Sequence, residues 1–272
     1  MDWVFILQII LTGIGAGIFA GMFGIGGAII ILPVLVLVFG WNFYNATATS
    51  LAALLLPAGW IALRNYWKND LICFKGSGFT AIGMVFGNLL GAFISLYIVN
   101  DALYLKFLFG LFMIFMGMRY VRPIFLFNKI FRPEKSVAPV NIEYNNPLDM
   151  NMLFFTLIGF ASGILAGMFG VGGGLLITII LVGVFKINPK RAVAISLAAM
   201  FLPVAIGGVI LNEMKGNINW VVAIIIAVGI EIGSSFSSRW AIKLQADVYK
   251  QFFGLMIILC GIYFCWEFIY TF

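Results

Sequence analysis

Two near copies of one glycine-rich break interrupt otherwise continuous hydrophobic sequence. Gly15–Gly27 reads Gly-Ala-Gly-Ile-Phe-Ala-Gly-Met-Phe-Gly-Ile-Gly-Gly, and Ala161–Gly173 reads Ala-Ser-Gly-Ile-Leu-Ala-Gly-Met-Phe-Gly-Val-Gly-Gly, 146 positions later. Backbone this irregular survives at bilayer depth only where protein buries it or it lines a wet cavity, because lipid satisfies neither amide nor carbonyl. Two matched breaks, one in each half of a chain, are the pattern expected when a binding site forms between structural repeats. The chain therefore reads as a transporter.

That reading needs a membrane, and the composition supplies one. With 63% hydrophobic and only 10% charged residues, and a mean hydropathy of +1.12, the chain carries far more apolar surface than one soluble core could hide. The net charge of +6 comes from 16 basic and 10 acidic residues lying mostly between apolar runs, which suits orientation in a membrane better than a nucleic-acid patch. Cys73, Cys260 and Cys265 have no metal-ligand spacing and the chain has no histidine, which argues against a disulfide framework, zinc and histidine-based catalysis. No cofactor is expected. The opening apolar stretch starts Met-Asp-Trp, lacks the basic segment of a signal peptide and recurs in mid-chain, so it is read as retained structure.

Apolar runs fall near residues 3–23, 28–40, 46–63, 77–99 and 103–121, and again near 152–169, 174–185, 192–212, 218–242 and 247–270. Between them lies a polar linker with Pro133, Pro139 and Pro147. The expected organisation is a first transmembrane repeat over 1–126, a linker over 127–150 and a second repeat over 151–272. About 20 apolar residues cross a bilayer as a helix, so the runs after the glycine breaks are short. They are either short crossing helices that begin inside the membrane or re-entrant segments.

The duplication extends beyond the glycines. Asn42 matches Asn188, Ser50 matches Ser196, Pro57 matches Pro203, Gly83 matches Gly229 and Gly87 matches Gly233 at the same displacement. Gly110 and Gly117 match Gly254 and Gly261 after a two-residue slip, so the whole chain reads as a tandem duplication. Five crossings per repeat would put Arg64, Lys68 and Lys75 on one side with Arg119, Arg122, Lys129, Arg132 and Lys135 of the linker region. Lys186, Lys190, Arg191, Arg239, Lys243 and Lys250 would join them, leaving only Lys106 and Lys215 opposite. The positive-inside rule thus favours an all-α protein of ten segments in two inverted repeats, with the linker cytoplasmic and both termini outside. Four crossings per repeat is the alternative.

Glycine loops can turn several amides toward one point, and the helices starting at Ala28 and Gly174 add the positive ends of their dipoles. Together these make an anion site without a cationic side chain. Gly24, Gly26, Gly27, Gly170, Gly172, Gly173 and Gly174 are the candidates, whereas Gly13, Gly17 and Gly21, four apart, read as a helix-packing ridge. Asn45-Ala-Thr47-Ala-Thr49-Ser50 aligns with Arg191-Ala-Val-Ala-Ile-Ser196 near the start of the next helix. Asn45, Thr47, Thr49, Ser50, Arg191 and Ser196 would complete the oxyanion shell, while Asn42 and Asn188 read as helix caps.

Glu231 is the acid flanked by long apolar runs on both sides, which makes it a candidate for carrying a coupling proton. A pairing with Arg239 competes with that role, and Val85 stands at the matching place in the first repeat. Lys186, Lys190 and Arg191 crowd the mouth of the second repeat, where orienting the chain competes with drawing in anions. Pro57 and Pro203 are expected to kink their helices so that freed carbonyls face the cavity.

At Gly-Met-Phe-Gly-Ile-Gly-Gly with its following Ala-Thr-Ala-Thr-Ser, and at Gly-Met-Phe-Gly-Val-Gly-Gly-Gly with its later Ser-Leu-Ala, the chain resembles the TauE/SafE sulfite exporter family, also called the toluene-sulfonate uptake permeases. The likeness spans everything but the linker. It implies a plasma-membrane secondary carrier, bacterial or archaeal, for sulfite, sulfoacetate or other organosulfonates. Val193 and Ile195 stand where the first repeat has Thr47 and Thr49, so the two halves do not offer equally polar contributions. A passive anion channel is the alternative. A membrane enzyme is disfavoured by the missing histidine, metal cluster and nucleophile elbow. The expected partners are a small sulfur-containing anion and the lipid bilayer, with no nucleic acid; assembly with further copies of the chain stays open.

Overall fold

A computed structural model describes residues 3–24, 26–56, 59–99, 101–120, 145–243 and 247–271. Ile25 of the first loop, Pro57, and the linker residues Arg122, Lys129, Arg132, Pro133, Lys135 and Pro139 lie outside these. Among the described residues all regular structure is helical, and the one β-bridge pairs Asn145 with Ile187.

The first half contains α1 (Trp3–Phe23), α2 (Ala28–Pro33), α3 (Phe43–Leu55), α4 (Trp60–Trp67), α5 (Phe74–Phe93) and α6 (Ala102–Tyr120). After a short turn at Pro147–Asp149 come α7 (Met152–Phe169), α8 (Gly174–Gly183), α9 (Pro189–Phe201), α10 (Ile206–Met214), α11 (Trp220–Lys243) and α12 (Asp247–Thr271). Pro33 removes one amide from the α2 ladder, and the helix widens directly after it into a π turn over Val34–Val38. α3 and α9 both start where an asparagine side chain accepts a backbone N–H two residues on: Asn42 from Tyr44 at 2.9 Å, Asn188 from Lys190 at 3.0 Å. Asn42 and Asn188 are thus caps.

Among the described residues six helices, α1, α5 with its continuation to Val99, α6, α7, α11 and α12, are long and apolar enough to cross a membrane. The expected continuous runs 46–63 and 192–212 are each broken into a bent pair, α3 with α4 at 48° and α9 with α10 at 44°, giving up to eight spans if each pair counts once. The second bend falls at Pro203, whose carbonyl accepts the N–H of Ile206 at 3.1 Å and so starts α10. The helices after the glycine loops, Ala28–Val38 and Gly174–Gly183, are too short to span by length alone.

Three helix pairs dominate the packing, and glycine lets each approach closely. A Cβ on Gly13 would stand 2.7 Å from the Ile226 carbonyl, and Gly17 and Gly21 meet Ile230 and Ser234 in the same order, so α1 and α11 run parallel. The matching pair is α5 with α7, also parallel, where a Cβ on Gly163 would stand 2.5 Å from the Met84 carbonyl and Gly167 meets Asn88. The packing ridge expected at Gly13, Gly17 and Gly21 is therefore real. α6 and α12 run antiparallel: a Cβ on Gly117 would meet the Gly254 carbonyl and one on Gly261 the Gly110 carbonyl, both at 2.7 Å. Lys106 and Glu267 close one end of this seam with a 2.5 Å ion pair.

Each helix after a glycine loop folds back along the helix before it. A Cβ on Gly27 would touch the Ala16 carbonyl at 2.9 Å, and Phe39 beyond α2 meets Phe5 near the start of α1 with ring centroids 5.3 Å apart. In the second half Gly173 lies against Ser162, and Phe185 meets Phe154 at 5.4 Å. The core between the halves centres on Phe109, fully buried among the rings of Phe43, Phe169 and Phe264. Emptying such a position costs about 3–5 kcal/mol in a well-packed core.

Candidate functional site

The glycine loops reverse the chain sharply through left-handed backbone. Gly24, Gly26 and Gly27 have φ of 68°, 72° and 78°, and Gly170, Gly172 and Gly173 have 68°, 78° and 71°. Side chains with a Cβ pay roughly 1–2 kcal/mol per residue to adopt such angles, which is why glycine fills all six places. Gly27 and Gly173 occupy the cap positions of α2 and α8, and neither receives a side-chain cap.

Each loop is held by the opposite half. Ser50 on α3 donates to the Gly170 carbonyl at 2.9 Å, and Ser196 on α9 donates to the Gly24 carbonyl at 2.6 Å, with the Gly174 carbonyl a longer 3.3 Å away. The loops themselves touch, since a Cβ on Gly174 would collide with the Gly24 carbonyl. Each serine has one proton to give and gives it to a loop. In this arrangement Ser50 and Ser196 are braces, not free donors.

Around this crossing, Gly26 borders a cavity of about 20 Å³ together with Leu54, Gly59, Met200 and Ser234. That is room for roughly one water molecule. Thr49 is buried and its hydroxyl accepts the Asn219 N–H at 3.1 Å, while Thr47 is buried beside Gly170 with its hydroxyl unpartnered. The fold does not bring Asn45 and Arg191 to the loops. Asn45 is exposed in the first turn of α3, and the Arg191 guanidinium faces Asn146 at 3.4 Å.

Among the described residues no side-chain base, Arg239 included, pairs with Glu231. Its carboxylate accepts the backbone N–H groups of Gly59, Trp60 and Ile61, the last two at 3.0 Å, and so caps the start of α4 across the bend from α3. A carboxylate at a helix N-terminus is favoured both by the unpaired amides and by the helix dipole. Along α4, Trp60, Arg64, Trp67 and Lys68 share with Asp70 an open cavity of about 290 Å³.

Three further polar residues, none of them among the expected site residues, belong to this region. Asn88 accepts the Gly208 N–H near the start of α10 at 2.8 Å, Tyr66 donates to the Gly21 carbonyl at 3.1 Å, and Ser162 is fully buried with an unpartnered hydroxyl. Asn88 could have been found as the one amide side chain within its apolar run. Ser162 was legible as a polar replacement for Ala16 between otherwise matched breaks.

This arrangement, crossed glycine loops in a polytopic helical protein, coincides with a family match. The model of the sulfite exporter TauE/SafE family covers residues 9–264. The chain belongs to that family. Relatives named as probable membrane transporters align along almost their whole length. The chain is 26% identical to "Probable membrane transporter protein YunE" of Bacillus subtilis over 98% of this chain and 99% of that protein. It is 29% identical to "Probable membrane transporter protein MJ0441" of Methanocaldococcus jannaschii over 92% and 90%, and 28% identical to a "Probable membrane transporter protein" of Xylella fastidiosa over 96% and 97%. No solved structure matches. As a TauE/SafE member the protein is a multi-pass membrane transporter of a small molecule and not an enzyme.

Proposed function

We propose that the protein is a secondary carrier of small sulfur-containing oxyanions, sulfite and organosulfonates such as sulfoacetate, working by alternating access in a prokaryotic plasma membrane. The observation that carries this reading is the crossing of the two glycine loops, each braced by a serine of the other half. Broken helices whose N-terminal amides converge in a protein interior suit an anion. The small cavity beside Gly26 supports a carrier with an occluded site over an open channel.

Alternating access is readiest in a protein with inverted halves, and helix directions support ten crossings in two such halves. If each half crossed four times, equivalent helices would point the same way and α6 would run parallel to α12. They run antiparallel, which favours an odd number per half, and α2 and α8, which return along α1 and α7, are the segments that would supply it. Proton coupling takes a specific form in this reading. Protonating Glu231 weakens its hold on the amides of α4 and frees that helix to move at its bend, with Arg64 one turn further along α4 and Arg239 two turns along α11.

Purified protein in liposomes loaded with sulfite tests this. External labelled sulfite should enter faster when sulfite is inside, the exchange expected of a carrier. Uptake that is indifferent to internal sulfite, with a reversal potential set by the anion gradient alone, would establish a channel. No uptake of sulfite or sulfoacetate would overturn the substrate class.

A further inference from the structure

The two loops are alike in backbone and unlike in surroundings. Among the described residues three buried side-chain oxygens lack a hydrogen-bond partner: Tyr44 Oη, Thr47 Oγ1 and Ser162 Oγ. Two of these belong to residues that face the second loop. The Thr47 methyl would lie 3.1 Å from a Cβ on Gly170, and the Ser162 carbonyl 2.8 Å from one on Gly173. The matching contact of the first half, Ala16 Cβ at 3.2 Å from the same place on Gly27, indicates that a side chain at this position points at its loop. Thr47 is only 2% exposed and Ser162 0%.

At the first loop the same two places are apolar. Val193 stands against Gly24 and Ala16 against Gly27. The helix starts differ as well. In the first half Ile30 already bonds back to the Gly27 carbonyl at 3.0 Å, whereas in the second half the first such bond comes from Ile177 to Gly173 at 3.3 Å. The first amides of α8 therefore meet their loop with no cap and no early turn.

Resting on the carrier reading above, we infer that the oxyanion headgroup is seated at the second loop alone, held by the first amides of α8 together with the hydroxyls of Thr47 and Ser162. The first loop is its structural counterpart, with the apolar side chains of Val193 and Ala16 in the two matching places. A buried hydroxyl without a partner is a standing cost that packing does not repay, and both hydroxyls acquire an acceptor when an oxyanion sits between them. Ser162 is thereby a binding residue that the symmetric reading of the loops omits. Because both side chains are shut away from solvent here, the seat is loaded only when α3, which carries Thr47, parts from α7, which carries Ser162.

The test uses near-isosteric variants that delete only the hydroxyls, Thr47→Val and Ser162→Ala, singly and together, with Val193→Thr at the first loop as comparison. Thermal unfolding is followed with and without sodium sulfite, and sulfite uptake is measured in liposomes. Removing unpaired hydroxyls should raise the melting temperature of the empty double variant, while its sulfite affinity falls at least tenfold and the sulfite-induced shift disappears. Each single variant should show a part of both effects, and Val193→Thr should bind like the parent. A double variant that binds sulfite within twofold of a sulfite-transporting parent overturns the seat and leaves the carrier reading standing. A parent that neither binds nor transports sulfite overturns the carrier reading and this seat together.

Discussion

The carboxylate of Glu231 accepts the backbone N–H of Trp60 at 3.0 Å, from 171 positions further along the chain. With Gly59 and Ile61 it takes three consecutive amides, so one side chain of the second half determines where a helix of the first half begins.

Glu231→Ala should therefore destabilise the protein by on the order of 2 kcal/mol, since a hydrogen bond to a charged group contributes about 1.5–3 kcal/mol and water replaces part of the loss. Glu231→Gln keeps an acceptor and should fold, yet lose the response of transport to a pH gradient. Sulfite uptake into liposomes with and without an imposed gradient checks this. A Gln variant that keeps the response reduces Glu231 to a helix cap.

The glycines of the loops and of the packing ridge should fail differently. Gly172→Ala and Gly26→Ala force a side chain into left-handed backbone, at roughly 1–2 kcal/mol each, and should lower sulfite affinity, Gly172→Ala directly and Gly26→Ala through the contact of its loop with Gly174. Loss at Gly172→Ala is expected to be the greater, since that loop begins α8. Gly13→Ala places a methyl 2.7 Å from the Ile226 carbonyl and pushes α1 from α11. It should lower the melting temperature while the folded fraction binds normally, as a binding isotherm in detergent would reveal.

Ser50→Ala and Ser196→Ala each remove a donor from a buried loop carbonyl. The expected cost is about 1–3 kcal/mol apiece, the penalty for leaving a buried acceptor unpaired. Chemical denaturation of the purified variants measures it. Ser196→Ala should cost more, because its hydroxyl lies within reach of both Gly24 and Gly174. Equal stability to the parent would mean that the loops hold their shape without the braces.

The antiparallel seam of α6 and α12 makes a prediction about orientation. In a variant stripped of Cys73, Cys260 and Cys265, a cysteine introduced near Lys135 should react only after permeabilisation, and cysteines at both termini should react in intact cells. A C-terminal cysteine that is shielded until permeabilisation would restore four crossings per half.

Much of the architecture is a local property and could be read from the chain. Hydropathy over about 20 residues decides which segments enter a bilayer, and only glycine accepts six left-handed positions at little cost, so membrane insertion, the two breaks and the starts of α2 and α8 were legible. Asn42 and Asn188 were legible as caps because a cap bonds to an amide two residues away. Partnership across the fold was not. That Ser50 serves Gly170, 120 positions distant, that Glu231 turns to amides rather than to Arg239, and that Arg191 and Asn45 stand away from the loops all depend on which helices pack and in what register. The contrast between Thr47 with Ser162 and Val193 with Ala16 was written in the sequence as letters, but its meaning was not. Whether a hydroxyl is satisfied or left waiting is decided by what the tertiary structure places within 3.5 Å of it, and no local pattern encodes that distance.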